Sequence, residues 1–439
     1  MQTVQTDILY HTFPSGLRLV YRHLTSPVTY FGVMIGAGTR HEQPDESGLA
    51  HYIEHGVFKG TQNRTATQII NRIEDVGGEL NAYTTKEETT FYSAVPTQYT
   101  NRAAELIADM VLHPIFPDEE MQREKQVIYD EIESYNDSPS ELIYDDFESL
   151  LFSGNSLASP ILGTKKTIRR FTAHTAIHFI EHHYLPARIV VFAETSKPFA
   201  DIVRLTETYF PTSTTSSSFT TGTPASLPAA DSAERSEAFA TNTTLATNTT
   251  LVLPADRPHS ASFRRHTHQT HVMLGGEACH IGHPDRLTIA LLNNILGGGS
   301  MNSRLNMELR EKRGLVYTVE SVFQPLSDTG YWAVYFASEP ENAEQCIKLV
   351  SEQLRRITDE KLSAAVLRKA VAQIKGQLAI ADENRENRVL AMAKSVLYTN
   401  SVTTYKETIA QLKQITSDHL QSTARTIFSP DNIFTLKYE

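Results

Sequence analysis

A serine- and threonine-rich tract from about Thr212 to Ser262 divides this 439-residue chain, and the order of elements before it recurs in weaker form after it. The tract contains Thr-Ser-Thr-Thr-Ser-Ser-Ser and a repeated Thr-Asn-Thr-Thr-Leu at 241 and 247. That composition has too little apolar content to build a core and reads as a flexible linker. On either side, the stretch Gly48–Gly60 finds a counterpart in Arg286–Gly298. Phe91-Tyr-Ser-Ala-Val, followed by a helix near Asn101–Met110, is matched by Tyr331-Trp-Ala-Val-Tyr followed by Glu339–Leu354. An ancient internal duplication accounts for this pattern. The expected fold class is therefore α/β (α+β). Two similar domains, 1–211 and 263–439, each carry a mixed, mostly antiparallel sheet with helices packed on one face, joined by the linker 212–262.

Local signals fill in the first half. Leu9 to Val33 reads as strands around the turn Pro14-Ser-Gly16, and helices are expected over Ala66–Val76, Thr100–Leu112 and Pro117–Tyr135. The chain is 40% hydrophobic and 21% charged, enough for two sizeable cores. No apolar run is long enough to span a bilayer, and Met1-Gln-Thr-Val-Gln-Thr-Asp lacks the basic start and apolar stretch of a signal peptide, so a cytoplasmic location without membrane contact is expected. Cys279 and Cys346 are too few for a disulfide framework and are expected to be reduced packing residues. A net charge of −11 disfavours a nucleic-acid partner and fits an acidic solvated surface.

The chemistry concentrates at residues 51–55, His-Tyr-Ile-Glu-His. On a helix, His51 and His55 lie one turn apart on one face with Glu54 beside them. Two imidazoles can then reach one metal ion while a carboxylate faces its water. Catalytic zinc usually takes a third protein ligand, and Glu131 is the best candidate. It sits on the predicted helix from Pro117, where Glu124 and Glu131 are two turns apart on one face and Val127 and Ile128 can pack inward. The motif helix is entered through Asp45-Glu46-Ser47-Gly48, a plausible cap. The pattern occurs a second time, at His178-Phe-Ile-Glu-His182, without such surroundings.

These residues resemble the inverted-motif zinc metallopeptidases of the M16 family, related to pitrilysin, insulin-degrading enzyme and the mitochondrial processing peptidase, with the short-chain members the nearest in form. In that family the third ligand is a glutamate in the mid-seventies of residues after the second histidine, and Glu131 follows His55 by 76 residues (131 − 55). The same offset from His182 falls on Pro258, so the second copy fails. Gly36-Ala-Gly-Thr-Arg-His-Glu42 and Phe58-Lys-Gly-Thr61 extend the likeness on both sides of the motif.

The resemblance implies one zinc ion per chain held by His51, His55 and Glu131, with Glu54 as general base and Glu124 as a supporting carboxylate. It implies that Asn81, Ala82, Tyr83 and Thr84, after the turn Gly77-Gly78, form a strand on which a peptide substrate is laid by strand addition. Leu309-Arg-Glu-Lys-Arg-Gly-Leu-Val-Tyr317 is similar to the family segment whose arginine and tyrosine reach the substrate, which assigns that role to Arg310 and Tyr317. A chain of this size forms half of a clamshell, so a homodimer is expected, or a heterodimer with an inactive homologue. The implied activity is zinc-dependent endopeptidase cleavage of short or unfolded peptides. The alternative is a non-catalytic or partner-dependent peptide-binding subunit of the same fold. His266, His268 and His271, and Cys279, His280 and His283, show no recognised ligand spacing. Gly297-Gly298-Gly299-Ser300 lacks the Gly-Lys-Ser/Thr ending of a phosphate loop.

Overall fold

A computed structural model describes residues 8–213, 259–265 and 267–439, which form two compact units. The linker reading of 212–262 lies, over 214–258, outside the described residues, as does His266.

The first unit is built on a six-stranded sheet of order β1-β2-β6-β3-β5-β4. Its strands are β1 (Ile8–Thr12), β2 (Arg18–His23), β3 (Val28–Ile35), β4 (Glu79–Thr84), β5 (Thr89–Pro96) and β6 (Ile189–Thr195). Only the β2–β6 pair is parallel. Alternation along the strands sends Leu19, Tyr21, Phe31, Val33, Phe91, Val95 and Val191 into one core. That core is covered by α1 (Leu49–Gly56), α2 (Ala66–Glu74), α3 (Thr100–Leu112), α4 (Asp118–Asn136), α7 (Ala173–His183) and α8 (Phe199–Tyr209). Within α4, Ile128 is fully buried, but Val127 is half exposed and does not pack inward as expected. It is one residue, about 100°, off the buried stripe.

The second unit repeats the plan with a five-stranded sheet of order β7-β11-β8-β10-β9. These strands are β7 (Ser260–Phe263), β8 (Thr270–Glu277), β9 (Val316–Pro325), β10 (Gly330–Ser338) and β11 (Phe434–Tyr438). Its core sets Val272, Leu274, Trp332, Val334 and Phe336 against α9 (Arg286–Gly297), α10 (Ala343–Asp359), α11 (Ala364–Glu383), α13 (Tyr405–Leu412) and α14 (Ser417–Ile427). The counterparts drawn from sequence occupy equivalent places: α1 and α9, then β5 with α3 and β10 with α10.

Each sheet also has a helix on its other face, taken from the opposite half of the sequence. On the first sheet, Arg18, Tyr30, Tyr92 and Glu194 meet α12 (Arg385–Thr399). On the second, Met273, Tyr331, Ala333, Tyr335, Phe434 and Leu436 pack with α5 (Pro139–Leu151). The compact units are accordingly discontinuous. The described residues of the first fall in 8–132, 159–213 and 385–402, and those of the second in 133–158, 259–384 and 403–439. This corrects the division into consecutive stretches 1–211 and 263–439: covering a sheet's second face drew on segments remote in sequence.

Candidate metal centre and its surroundings

The motif helix α1 is not capped by Asp45 to Ser47. Its N-cap is Gly48, at φ 92°, with no side-chain cap of its own. The capping is done by Glu42, whose carboxylate accepts from the Gly48 amide at 3.0 Å and the Ala50 amide at 2.8 Å. Burial pushes the Glu42 carboxyl up to about 8, against the pull of these backbone N–H groups. Gly48 is needed for space as well as for conformation, since a Cβ there would lie 2.7 Å from Gly163 Cα. At the other end, a Cβ on Gly56 would lie 2.4 Å from the Phe116 ring, so glycine lets α1 settle on the segment entering α4.

With α1 and α4 so placed, His51, His55 and Glu131 form the one group of potential metal ligands found among the described residues, their ligating atoms all within 4.8 Å of one another. The Nε2 atoms of His51 and His55 are 3.2 Å apart, and Glu131 Oε2 lies 3.6 Å from the first and 3.5 Å from the second. A tetrahedral zinc ion with bonds of about 2.0–2.1 Å requires ligand edges of about 3.3–3.4 Å, so the three donors fit that ion. The donor set, two imidazoles and a carboxylate, is one that catalytic zinc takes.

Surrounding groups set the protonation. His55 Nδ1 donates to Glu124 Oε1 at 2.7 Å, which leaves Nε2 as the ligating atom, and Lys59 Nζ holds the other Glu124 oxygen at 2.6 Å. Burial opposes charge on His55, but its hydrogen bonds with Glu124 and Glu131 outweigh burial and raise it to about 9. Burial and the neighbouring His55 lower His51 to about 4, so it is neutral. The Glu131 carboxyl is held below its usual range by His55, with burial opposing and His51 assisting. Burial raises Glu54, with Thr84 and His55 pulling it back and Glu131 adding to the rise.

Asn81, Ala82, Tyr83 and Thr84 lie on β4, which among the described residues pairs only with β5 and forms the edge of its sheet. An edge strand has backbone groups open to another strand. Arg310 and Tyr317 belong to the second unit. Arg310 sits in a π-helical turn, Asn306–Glu311, with its guanidinium 5.6 Å from the centre of the Tyr317 ring. Tyr317 is 80% exposed on β9, the edge strand of that sheet. The second His-x-x-Glu-His copy lies on α7, where His182 Nδ1 bonds to the His178 carbonyl at 2.7 Å rather than joining a ligand cluster. Sequence reasoning missed Lys59 and Glu42 as partners, although both lie in segments singled out for their resemblance. The spacing of His51, His55 and Lys59, four residues each, was the available signal for Lys59.

The insulinase model, peptidase family M16, matches residues 18–165, and the M16 inactive-domain model matches 170–374. The chain belongs to the M16 peptidase family. An uncharacterized zinc protease of Bacillus subtilis is 28% identical over 427 residues, 97% of each chain. One from Streptomyces coelicolor is 31% identical over 417 residues, covering 95% of this chain and 86% of that protein. The fold is that of a protease from Helicobacter pylori, with a TM-score of 0.84 at 20% identity over 99% of this chain and 100% of that one.

Proposed function

We propose that the protein is a zinc-dependent endopeptidase that cleaves short or unfolded peptides. The observation that carries the proposal is the triangle of His51, His55 and Glu131, with Glu54 on the same helix as the two histidines. Zinc, when bound, would polarise the scissile carbonyl and acidify a water molecule. Glu54 takes the proton from the attacking water and delivers it to the leaving amine. Its raised affinity for a proton suits that exchange better than an ordinary carboxylate would. Glu124, charged and held between His55 and Lys59, fixes the imidazole orientation. A substrate backbone pairs with β4 at Asn81, Ala82, Tyr83 and Thr84, which makes recognition tolerant of sequence and restricts it to extended chains.

Arg310 and Tyr317 are assigned to a substrate carbonyl and the developing oxyanion. In this reading a homodimer supplies them from a second copy of the chain. The test is digestion of an unstructured peptide library and of a folded protein, followed by mass spectrometry. Cleavage confined to the peptides, lost with a chelator and regained with zinc, is expected. Cleavage that survives both chelation and Glu54→Gln would overturn the proposal.

A further inference from the structure

Against a net charge of −11, one short stretch gathers four cations with no carboxylate among them: Lys165-Lys166-Thr167-Ile168-Arg169-Arg170. The single-turn helix α6 (Lys165–Ile168) buries Ile168 and leaves Lys165, Lys166, Arg169 and Arg170 exposed. Together with Tyr129 of α4 they line an open concavity of about 640 Å³. Lys165 Nζ stands 5.9 Å from the centre of the Tyr129 ring, which forms one wall. Among the described residues, no ion pair neutralises Lys166, Arg169 or Arg170.

The backbone beneath these cations is pinned. Lys125 of α4, itself buried, donates Nζ to the Phe171 carbonyl at 2.7 Å and to the Arg169 carbonyl at 3.2 Å. Thr164 accepts from the Thr167 amide at 3.2 Å, and Gly163 packs against Ser47 and Gly48 at the start of α1. The Phe171 ring lies 5.5 Å from that of Tyr52 in α1. The backbone that carries the four charges is therefore held in place by packing.

We propose that this concavity is a binding site for a polyvalent phosphate-type anion. A lone carboxylate would neutralise one of Lys166, Arg169 and Arg170, whereas a compact oligophosphate presents several charges over the same span. The two guanidinium groups offer planar forks suited to phosphate oxygens, and the Lys166 ammonium supplies a point charge. The site is separate from the metal centre. Tyr129 and Glu131 project about 200° apart around α4, so the anion sits on the flank away from the ligands. It nevertheless binds a segment packed on both α1 and α4, the helices that carry His51, His55 and Glu131. The proposal does not depend on peptide hydrolysis.

The test is calorimetric titration of the full chain with inorganic tripolyphosphate at fixed ionic strength. Wild type is compared with the triple variant Lys166→Gln, Arg169→Gln, Arg170→Gln, and zinc retained after titration is measured so that metal extraction is not read as binding. One saturable site in wild type, weakened at least about tenfold in the variant while its unfolding midpoint without ligand stays the same, is expected. Arg170→Glu, a single charge reversal, gives the same reading should the triple variant fail to fold. Equal affinity in wild type and variant, or no saturable binding to wild type, would overturn the proposal. So would a glutamate hexapeptide that binds wild type more tightly than tripolyphosphate.

Discussion

Lys59, Glu124 and His55 form a chain of contacts that ends on Nδ1 of the His55 imidazole, whose Nε2 faces His51 and Glu131, so changes two contacts away should reach a metal held there. Glu124→Gln or Lys59→Met is predicted to weaken zinc binding by about 10- to 100-fold, as read by competition with a chelating dye. Equal affinity in either variant would show that His55 is oriented without them. Glu42 makes a different prediction, about pH. Its carboxyl is raised to about 8 in the folded chain from an ordinary 4.5, so the folded state holds the extra proton between those values. The stability it contributes is present below pH 4.5 and is lost as pH rises towards 8. The thermal unfolding midpoint should therefore decline more steeply over pH 5 to 8 in wild type than in Glu42→Gln, which has no titrating group and keeps an acceptor for only one of the two cap amides. The grouping of these three side chains was legible because His51 and His55 obey helical spacing and Glu131 stands at a family distance. The cap was not. Ser47 occupies the sequence position of a good capping residue, but the positive φ of Gly48 turns the chain so that Glu42 reaches the helix instead.

Elements are held here by close backbone approaches and buried ion pairs as much as by apolar cores. Gly163, at φ 69°, touches the start of α1 so closely that an added Cβ would lie 2.3 Å from the Ser47 carbonyl oxygen. Gly163→Ala is predicted to cost about 2 kcal/mol or more in chemical denaturation and to reduce zinc occupancy with it. Helix α12 depends on Glu194, which is fully buried and bonded to Arg385 at 2.8 Å and Arg388 at 2.8 Å, and on Glu88, which accepts from Lys394 at 2.6 Å and from Tyr398. Arg18 closes its far end through the Val396 and Leu397 carbonyls. Removing one member of such a set strands its partners, so Glu194→Ala should destabilise the protein by about 3–5 kcal/mol in urea unfolding. Helices α2, α3 and α4 were legible from their apolar periodicity. The partner of α12 was not, because a polar face that reads as solvated in sequence is here matched to buried carboxylates on a sheet.

For the molecule as a whole, the duplication was visible in sequence because each half keeps its own order of strands and helices. That α12 belongs to the first compact unit and α5 to the second was hidden, since nothing local marks a helix as the cover of a sheet distant in sequence. If active sites draw Arg310 and Tyr317 from a second copy, mixing Glu54→Gln with Tyr317→Phe protein should restore part of the activity that each lacks. No rescue after proven subunit exchange would place both sets of residues in one chain or assign the second set elsewhere. The central claim is that His51, His55 and Glu131 hold zinc for Glu54 to work beside. It is tested most directly by measuring bound zinc and peptide cleavage on the same samples of wild type and Glu54→Gln. Near one zinc per chain in both, with cleavage by wild type alone, is the predicted result. Absence of bound zinc from wild type after metal reconstitution would contradict it.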